Sequence, residues 1–322
     1  MSLMLGLAVL AASILTPADQ QQVAAKAAVL IEQRYVDPDT GKRTASMLRR
    51  TRWSQAMPGP DFASKLTELL RKETGDGHLA VDFSDKPLDA QSGEAAFAAE
   101  EIERYYGAHL NHGVEKIERL DGNIMLLDLR VFPPPAMAGD VIAAAMTLVA
   151  QGEALIIDLR RNGGGMETAN LVVSYLLPPG TPLSAVYDRP TNRTTPVTTA
   201  AWVAGRRFGH DKPLYILTSK RTFSAAEAVA YDLQAAKRAV IVGEVTGGGA
   251  NPFEYRRIDS HFALSLPEQR SVNPITRTNW QGVGVKPDAP VAADRALETA
   301  LGLAKAAIKG RSKAASGPRS LP

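Results

Sequence analysis

Residues 212–252, KPLYILTSKRTFSAAEAVAYDLQAAKRAVIVGEVTGGGANP, decide the fold. Leu214–Thr218 is a short apolar run that fits a buried strand, and Ala225–Lys237 is rich in helix formers with apolar residues at helical spacing. Ser224 stands where the exit loop of that strand becomes a helix. A serine there reads first as an N-cap whose oxygen accepts from the free amides of the first turn, and Glu227 three residues on completes a capping-box pattern. The same free amides and the positive end of the helix dipole also stabilise an oxyanion beside a nucleophilic hydroxyl. Cap and nucleophile therefore both stand open at Ser224. Val240–Glu244 reads as a further buried strand, and the glycine run Gly247–Gly249 follows it.

Working outward, Ala154–Leu159 is a continuous apolar run typical of a strand buried on both faces. It leads into Arg160-Arg161-Asn162-Gly163-Gly164-Gly165 and a helix from about Glu167 to Leu176. Strand, glycines and helix form an anion cradle, because backbone amides can turn toward a negative group where no side chain blocks approach. The dinucleotide fingerprint fails, since Thr168 stands where its third glycine belongs, and the phosphate loop lacks its Gly-Lys-Ser/Thr. A nucleotide-binding reading accordingly ranks last, and an oxyanion donor or a plain tight turn remains. Val114–Leu120 and Asn123–Leu129 read as a strand pair, Val141–Ala150 as a helix, Tyr255–Leu266 as hairpin strands and Ala292–Lys309 as a final helix. Pro178–Phe208 reads as a long loop or irregular hairpin. Strands alternating with helices point to an α/β core.

Before that core, Gln22–Tyr35 and Phe62–Lys72 carry apolar residues on one helical face, separated by turn signals at Asp37-Pro38-Asp39 and Pro58-Gly59-Pro60. They form a small helical subdomain. Thr74-Gly75-Asp76-Gly77-His78 then turns into Leu79–Phe83, a half-buried strand, and Glu94–Tyr106 is a charged helix. His78, at the turn-to-strand junction, reads as a solvated residue unless Ser224 comes alongside. His109 and His112 share a face but lack a third ligand, so no metal is expected.

The chain has 322 residues, 45% of them hydrophobic, enough for one large core or a core with a helical appendage. Its net charge of +3, from 37 basic and 34 acidic residues, is too scattered for a nucleic-acid footprint. Absence of cysteine excludes disulfides, thiolate metal sites and a cysteine nucleophile. Leu3–Leu15 is short for a membrane span and suits a signal-peptide core in preference to a buried first helix, so the expected location is secreted or periplasmic. The expected organisation is a signal peptide over 1–16, the helical subdomain over 17–85, the α/β core over 86–301, and the end of the final helix with a disordered tail over 302–322.

Four segments in order, IIDLRRNGGG, LTSKRTFSAAEAVAYDLQ, KRAVIVGEVTGGGANP and NWQGVGVKPD, resemble the S41 serine peptidases, the tail-specific and carboxy-terminal-processing proteases. The chain is most similar to the branch of tricorn core and the interphotoreceptor retinoid-binding proteins. The resemblance implies a ClpP/crotonase-like core and peptide hydrolysis without metal or cofactor. It implies Ser224 as nucleophile, His78 in GDGHL as general base, and an oxyanion hole from the amides of Ala225 and Gly164. The chain departs from the family at three places: Gly247–Gly249 holds no lysine base, Gly77 replaces a serine before the histidine, and Gln281 replaces a common glutamate. A neutral amide can orient an imidazole but cannot supply the charge that stabilises an imidazolium. Asp76 and Glu227 are candidate carboxylates in its place, each with a simpler role in a turn or cap. The alternative function is a catalytically weak or inactive relative that binds an apolar ligand or peptide in the cleft.

Overall fold

The computed structural model describes residues 14–88 and 99–315, which divide into two compact units. Most of the candidate signal-peptide core, and residues 94–98 of the charged helix, lie outside the described residues. In chain order the first elements are β1 (Ile14–Leu15), α1 (Pro17–Arg34), α2 (Pro38–Arg50), β2 (Met57–Pro58), α3 (Gly59–Thr74) and β3 (Ala80–Phe83). Next come α4 (Ala99–Tyr106), β4 (Val114–Leu120), β5 (Ile124–Leu129), α5 (Pro135–Val149), β6 (Ala154–Asp158) and α6 (Thr168–Ser174). The middle of the chain forms β7 (Pro182–Asp188), β8 (Arg193–Thr198), β9 (Leu214–Thr218), α7 (Ala225–Ala235) and β10 (Val240–Gly243). Last are β11 (Phe253–Arg257), β12 (Phe262–Pro267), β13 (Gln269–Val272), β14 (Ala289–Pro290) and α8 (Ala296–Ala315).

One unit combines the amino-terminal helices with the hairpin of Phe253–Gln269. The turn signals act as capping devices. Asp37 accepts the Thr40 amide at 2.8 Å to start α2, and Gly75 ends α3 in the left-handed conformation at φ 68°, where a Cβ would be strained. Strand β12 pairs antiparallel with both β11 and β3. Phe62, Leu66 and Leu70 from α3 are fully buried, and Phe62 meets Trp53 and Phe262 edge-on. Glu268, 1% exposed, accepts paired hydrogen bonds from Arg34 and Arg256.

The other unit is an α/β layer structure around a six-stranded mixed sheet of order β14-β10-β9-β6-β5-β4. Strands β14, β10, β9, β6 and β5 run parallel, and β4 adds antiparallel at one edge. Alternation along the strands sends Leu155, Ile157, Leu214 and Ile216 into one core with α5, α6 and α7. Ala154, Ile156, Tyr215 and Leu217 face the opposite side, against Ala296, Ala300 and Ala304 of α8. Covering both faces explains why these strands read as unbroken apolar runs. A second sheet, β13-β7-β8, resolves the Pro178–Phe208 stretch as a hairpin with an irregular register. Helix α8 continues through Gly310 to Ala315, past the point where the sequence reads as a disordered tail. Good helix formers on both sides carry the helix through a glycine that costs about 1 kcal/mol.

Among the described residues no helix is long and apolar enough to cross a membrane, and no cluster of His, Asp or Glu is placed to hold a metal.

Candidate active site

Ser224 occupies the N-cap position of α7, but not with the backbone of an ordinary cap. A cap residue normally has extended φ and ψ, whereas Ser224 has φ 53° and ψ −122°. That region is open to glycine and costs a side-chain-bearing residue about 1–3 kcal/mol. The surrounding bonds hold it there. Thr222 donates through Oγ1 to Leu159 O at 2.8 Å, Ser219 Oγ donates to Arg160 O at 2.6 Å, and the Phe223 amide donates to Asn162 O at 3.1 Å. The loop leaving β9 is thus fastened along the loop leaving β6, and Ser224 is left half-buried at its tip.

Fastening the two loops brings the Gly163–Gly165 turn against the serine. A Cβ on Gly164 would lie 2.7 Å from Ser224 Cβ, 3.0 Å from Phe223 O and 3.1 Å from Ala225 N, and its φ is +109°. Glycine is required there for space as well as for conformation. The Gly164 carbonyl accepts the Phe132 amide at 2.9 Å. Its amide donates to Asn162 Oδ1 at 2.8 Å, while Asn162 Nδ2 donates to Leu129 O at 3.1 Å. Sequence reading missed this use of Asn162, although an asparagine two residues before a turn amide is an Asx-turn signal.

Glu227 does more than cap. Its buried carboxylate accepts from the Ser224 amide at 2.9 Å, Thr246 Oγ1 at 2.5 Å, the Gly248 amide at 2.7 Å and the Gly249 amide at 2.8 Å. Burial pushes this carboxyl up, and the four donors pull against that shift. The Gly247–Gly249 run therefore turns two amides inward onto Glu227. Trp280 supports the loop by donating Nε1 to Gly249 O at 2.8 Å, and Gln281 accepts the Ala250 amide through Oε1 at 2.7 Å. Ser224, Ala225, Gly164, Glu227 and Gln281 all belong to this unit.

His78 belongs to the unit of the amino-terminal helices. It is 7% exposed, against the expectation of a solvated turn residue. The Asp76-Gly77-His78 turn fixes its place. Asp76, fully buried, accepts the His78 amide through Oδ1 at 3.0 Å, and the same oxygen lies 3.5 Å from His78 Nδ1. Tyr35 donates its hydroxyl to Asp76 Oδ2 at 3.1 Å, and the His78 ring lies 5.6 Å from that of Phe253.

A family model described as peptidase family S41 matches residues 124–291, more than half of the chain. The chain belongs to peptidase family S41, a family of serine proteases. A carboxyl-terminal-processing protease of Synechocystis sp. is 34% identical over 111 residues, which cover 34% of this chain and 24% of that protein. The matched part thus spans about a quarter of that relative. Among solved structures, a lipoprotein from Streptococcus agalactiae superposes with a TM-score of 0.58 at 16% identity, covering 91% of this chain and 98% of that one. The photosystem II D1 C-terminal processing protease superposes with a TM-score of 0.52 at 16% identity, covering 87% and 94%. At these identities the two structures establish the fold.

Proposed function

We propose that this chain is a serine peptidase that cleaves peptide bonds through an acyl-enzyme on Ser224, with His78 as general base. The observation that carries the reading is the glycine-type backbone of Ser224. Such strain persists only where the surroundings impose it, and it gathers at reactive groups. In the first step His78 takes the Oγ proton as Oγ bonds to the scissile carbonyl carbon. The resulting oxyanion is held by the Ala225 amide and by the Gly164 amide, which exchanges its bond to Asn162 for a charge-assisted one. Collapse breaks the C–N bond, and His78 returns the proton to the leaving amine. Water, deprotonated by His78, then bonds to the acyl carbon, the C–Oγ bond breaks, and His78 returns the proton to Ser224 Oγ. Gln281 holds the end of the glycine loop through Ala250 and adds no charge. The substrate is a peptide or protein, no cofactor takes part, and the Leu3–Leu15 run supports export.

A fluorophosphonate probe tests the reading: it labels the protein, and Ser224→Ala removes the label while the fold persists. A folded sample that takes up no label sinks it.

A second reading, a binding protein for an apolar ligand or peptide, is favoured by the neutral Gln281 and by the engaged amide of Gly164. It predicts a ligand-induced rise in Tm that is indifferent to Ser224→Ala and His78→Ala. Loss of turnover in both variants contradicts it.

A further inference from the structure

A base that takes a proton from serine needs two things from its neighbours: a fixed ring orientation with Nε2 bare, and a negative charge beside the imidazolium that forms. Gln281 supplies no charge, and the carboxylate of Glu227 is committed to four donors in its own unit. The turn that carries His78 contains a carboxylate of its own. We propose that Asp76, steadied by Tyr35, is the positioning residue that orients the His78 ring through Nδ1 and balances its charge. The inference rests on the reading of His78 as general base.

The local geometry supports each part. An aspartate that accepts the amide two residues on forms an Asx turn, which folds the carboxylate back toward the second side chain. Here Oδ1 accepts the His78 amide at 3.0 Å and lies 3.5 Å from Nδ1. That approach is longer than a formed hydrogen bond and is of the kind that tightens when the ring becomes charged. The other oxygen, Oδ2, is held at 3.1 Å by the Tyr35 hydroxyl. A carboxylate oxygen accepts at about two lone-pair sites, so Oδ1 can serve the His78 amide and a ring N–H together. Asp76 is fully buried and the His78 side chain is 4% exposed, so water screens their interaction little. Burial, followed by the charge of Asp76, raises the Tyr35 phenol well above its ordinary range, with a further push from Asp37, which keeps the hydroxyl a donor. The ring of Phe253, 5.6 Å from the imidazole, brings no charge.

The test has two arms that fail separately. In Ser224→Ala protein with 15N-labelled histidine, the imidazolium of His78 should show a strongly downfield Nδ1–H resonance at acid pH. Asp76→Asn should move it upfield, while the signals of the other four histidines stay in place as a check on the fold. On a general peptide or ester substrate, Asp76→Asn should lower kcat by about 10²–10⁴-fold with KM little changed. Tyr35→Phe, which removes only the donor to Oδ2, should give a weaker version of both effects, about 3–10-fold in kcat, and serves if Asp76→Asn does not fold. An Nδ1–H resonance indifferent to both variants overturns the proposal. So does an unchanged kcat in both variants where His78→Ala abolishes turnover. If His78→Ala itself retains turnover, the general-base reading and the positioning role of Asp76 in turnover both fall, and the resonance alone reports whether the Asp76–His78 pairing exists.

Discussion

Two buried carboxylates, Glu227 beside Ser224 and Asp76 beside His78, look alike in sequence: each lies within three residues of a candidate catalytic group, and each reads as a cap or turn device. Their surroundings separate them. Glu227 accepts from four donors, three of them backbone amides, and so ties α7 to the glycine loop. Asp76 accepts the Tyr35 hydroxyl and the His78 amide, and its Oδ1 faces an imidazole nitrogen at 3.5 Å. A carboxylate saturated by fixed donors stiffens a scaffold, whereas one with a lone pair directed at a titratable ring can respond when that ring gains charge. Burial and proximity alone do not assign the role; the donors around each oxygen do.

The contrast can be broken most forcefully at Glu227. Glu227→Gln replaces one acceptor oxygen by an NH₂ that meets amides already pointing inward. It should cost about 2–4 kcal/mol in chemical denaturation and slow fluorophosphonate labelling of Ser224 at least tenfold. Labelling at the wild-type rate would show that the strained serine does not depend on this carboxylate.

Glu268, between Arg34 and Arg256, sharpens the comparison as a carboxylate held by cations. Burial raises its carboxyl, and the hydrogen bonds and charges of the two guanidiniums outweigh burial and leave it below its ordinary range. A depressed folded pKa contributes stability that is present above the unfolded value, about 4.3 for a glutamate, and is lost as pH falls through the folded value. Glu268→Gln should therefore cost about 2–3 kcal/mol near neutral pH, with the gap to wild type closing below about pH 4. A gap that does not depend on pH would contradict the ion-pair account.

Gln281→Glu probes where the missing charge belongs. The new carboxylate can keep the bond to the Ala250 amide. If Asp76 already charges the base, kcat/KM should change by less than about tenfold, or about 1.4 kcal/mol. A gain of about 100-fold or more would move the charge requirement to position 281.

The smallest effect on stability is expected at the serine itself. Ser224→Gly removes the nucleophile but relieves a backbone that suits glycine, and a glycine cap costs only a few tenths of a kcal/mol. Stability should rise by about 0.5–1 kcal/mol, read as a higher Tm with turnover lost. A fall in Tm would mean that the φ of 53° is not strained.

Much of the fold was legible because burial on both faces leaves a direct mark on sequence. Ala154–Leu159 and Leu214–Thr218 read as buried strands and are the parallel neighbours β6 and β9. Less legible was whatever depends on contacts distant in the chain. Nothing local in Gly247–Gly249 says that two of its amides serve Glu227. His78 reads as solvated because the turn holding it is polar. Its burial comes from the residues that close over it, such as Phe253, 175 positions later. The backbone conformation of Ser224 is hidden for the same reason: serine favours an ordinary cap, and only the bonds from the neighbouring loop impose a glycine-like φ.

The account rests on Ser224 as nucleophile and His78 as its base, and mass-spectrometric mapping of the fluorophosphonate adduct tests both most directly. One adduct on the peptide containing Ser224, absent from Ser224→Ala and strongly reduced in His78→Ala, is the predicted result. A folded wild-type protein with no adduct, an adduct elsewhere, or labelling of Ser224 indifferent to His78→Ala would contradict it.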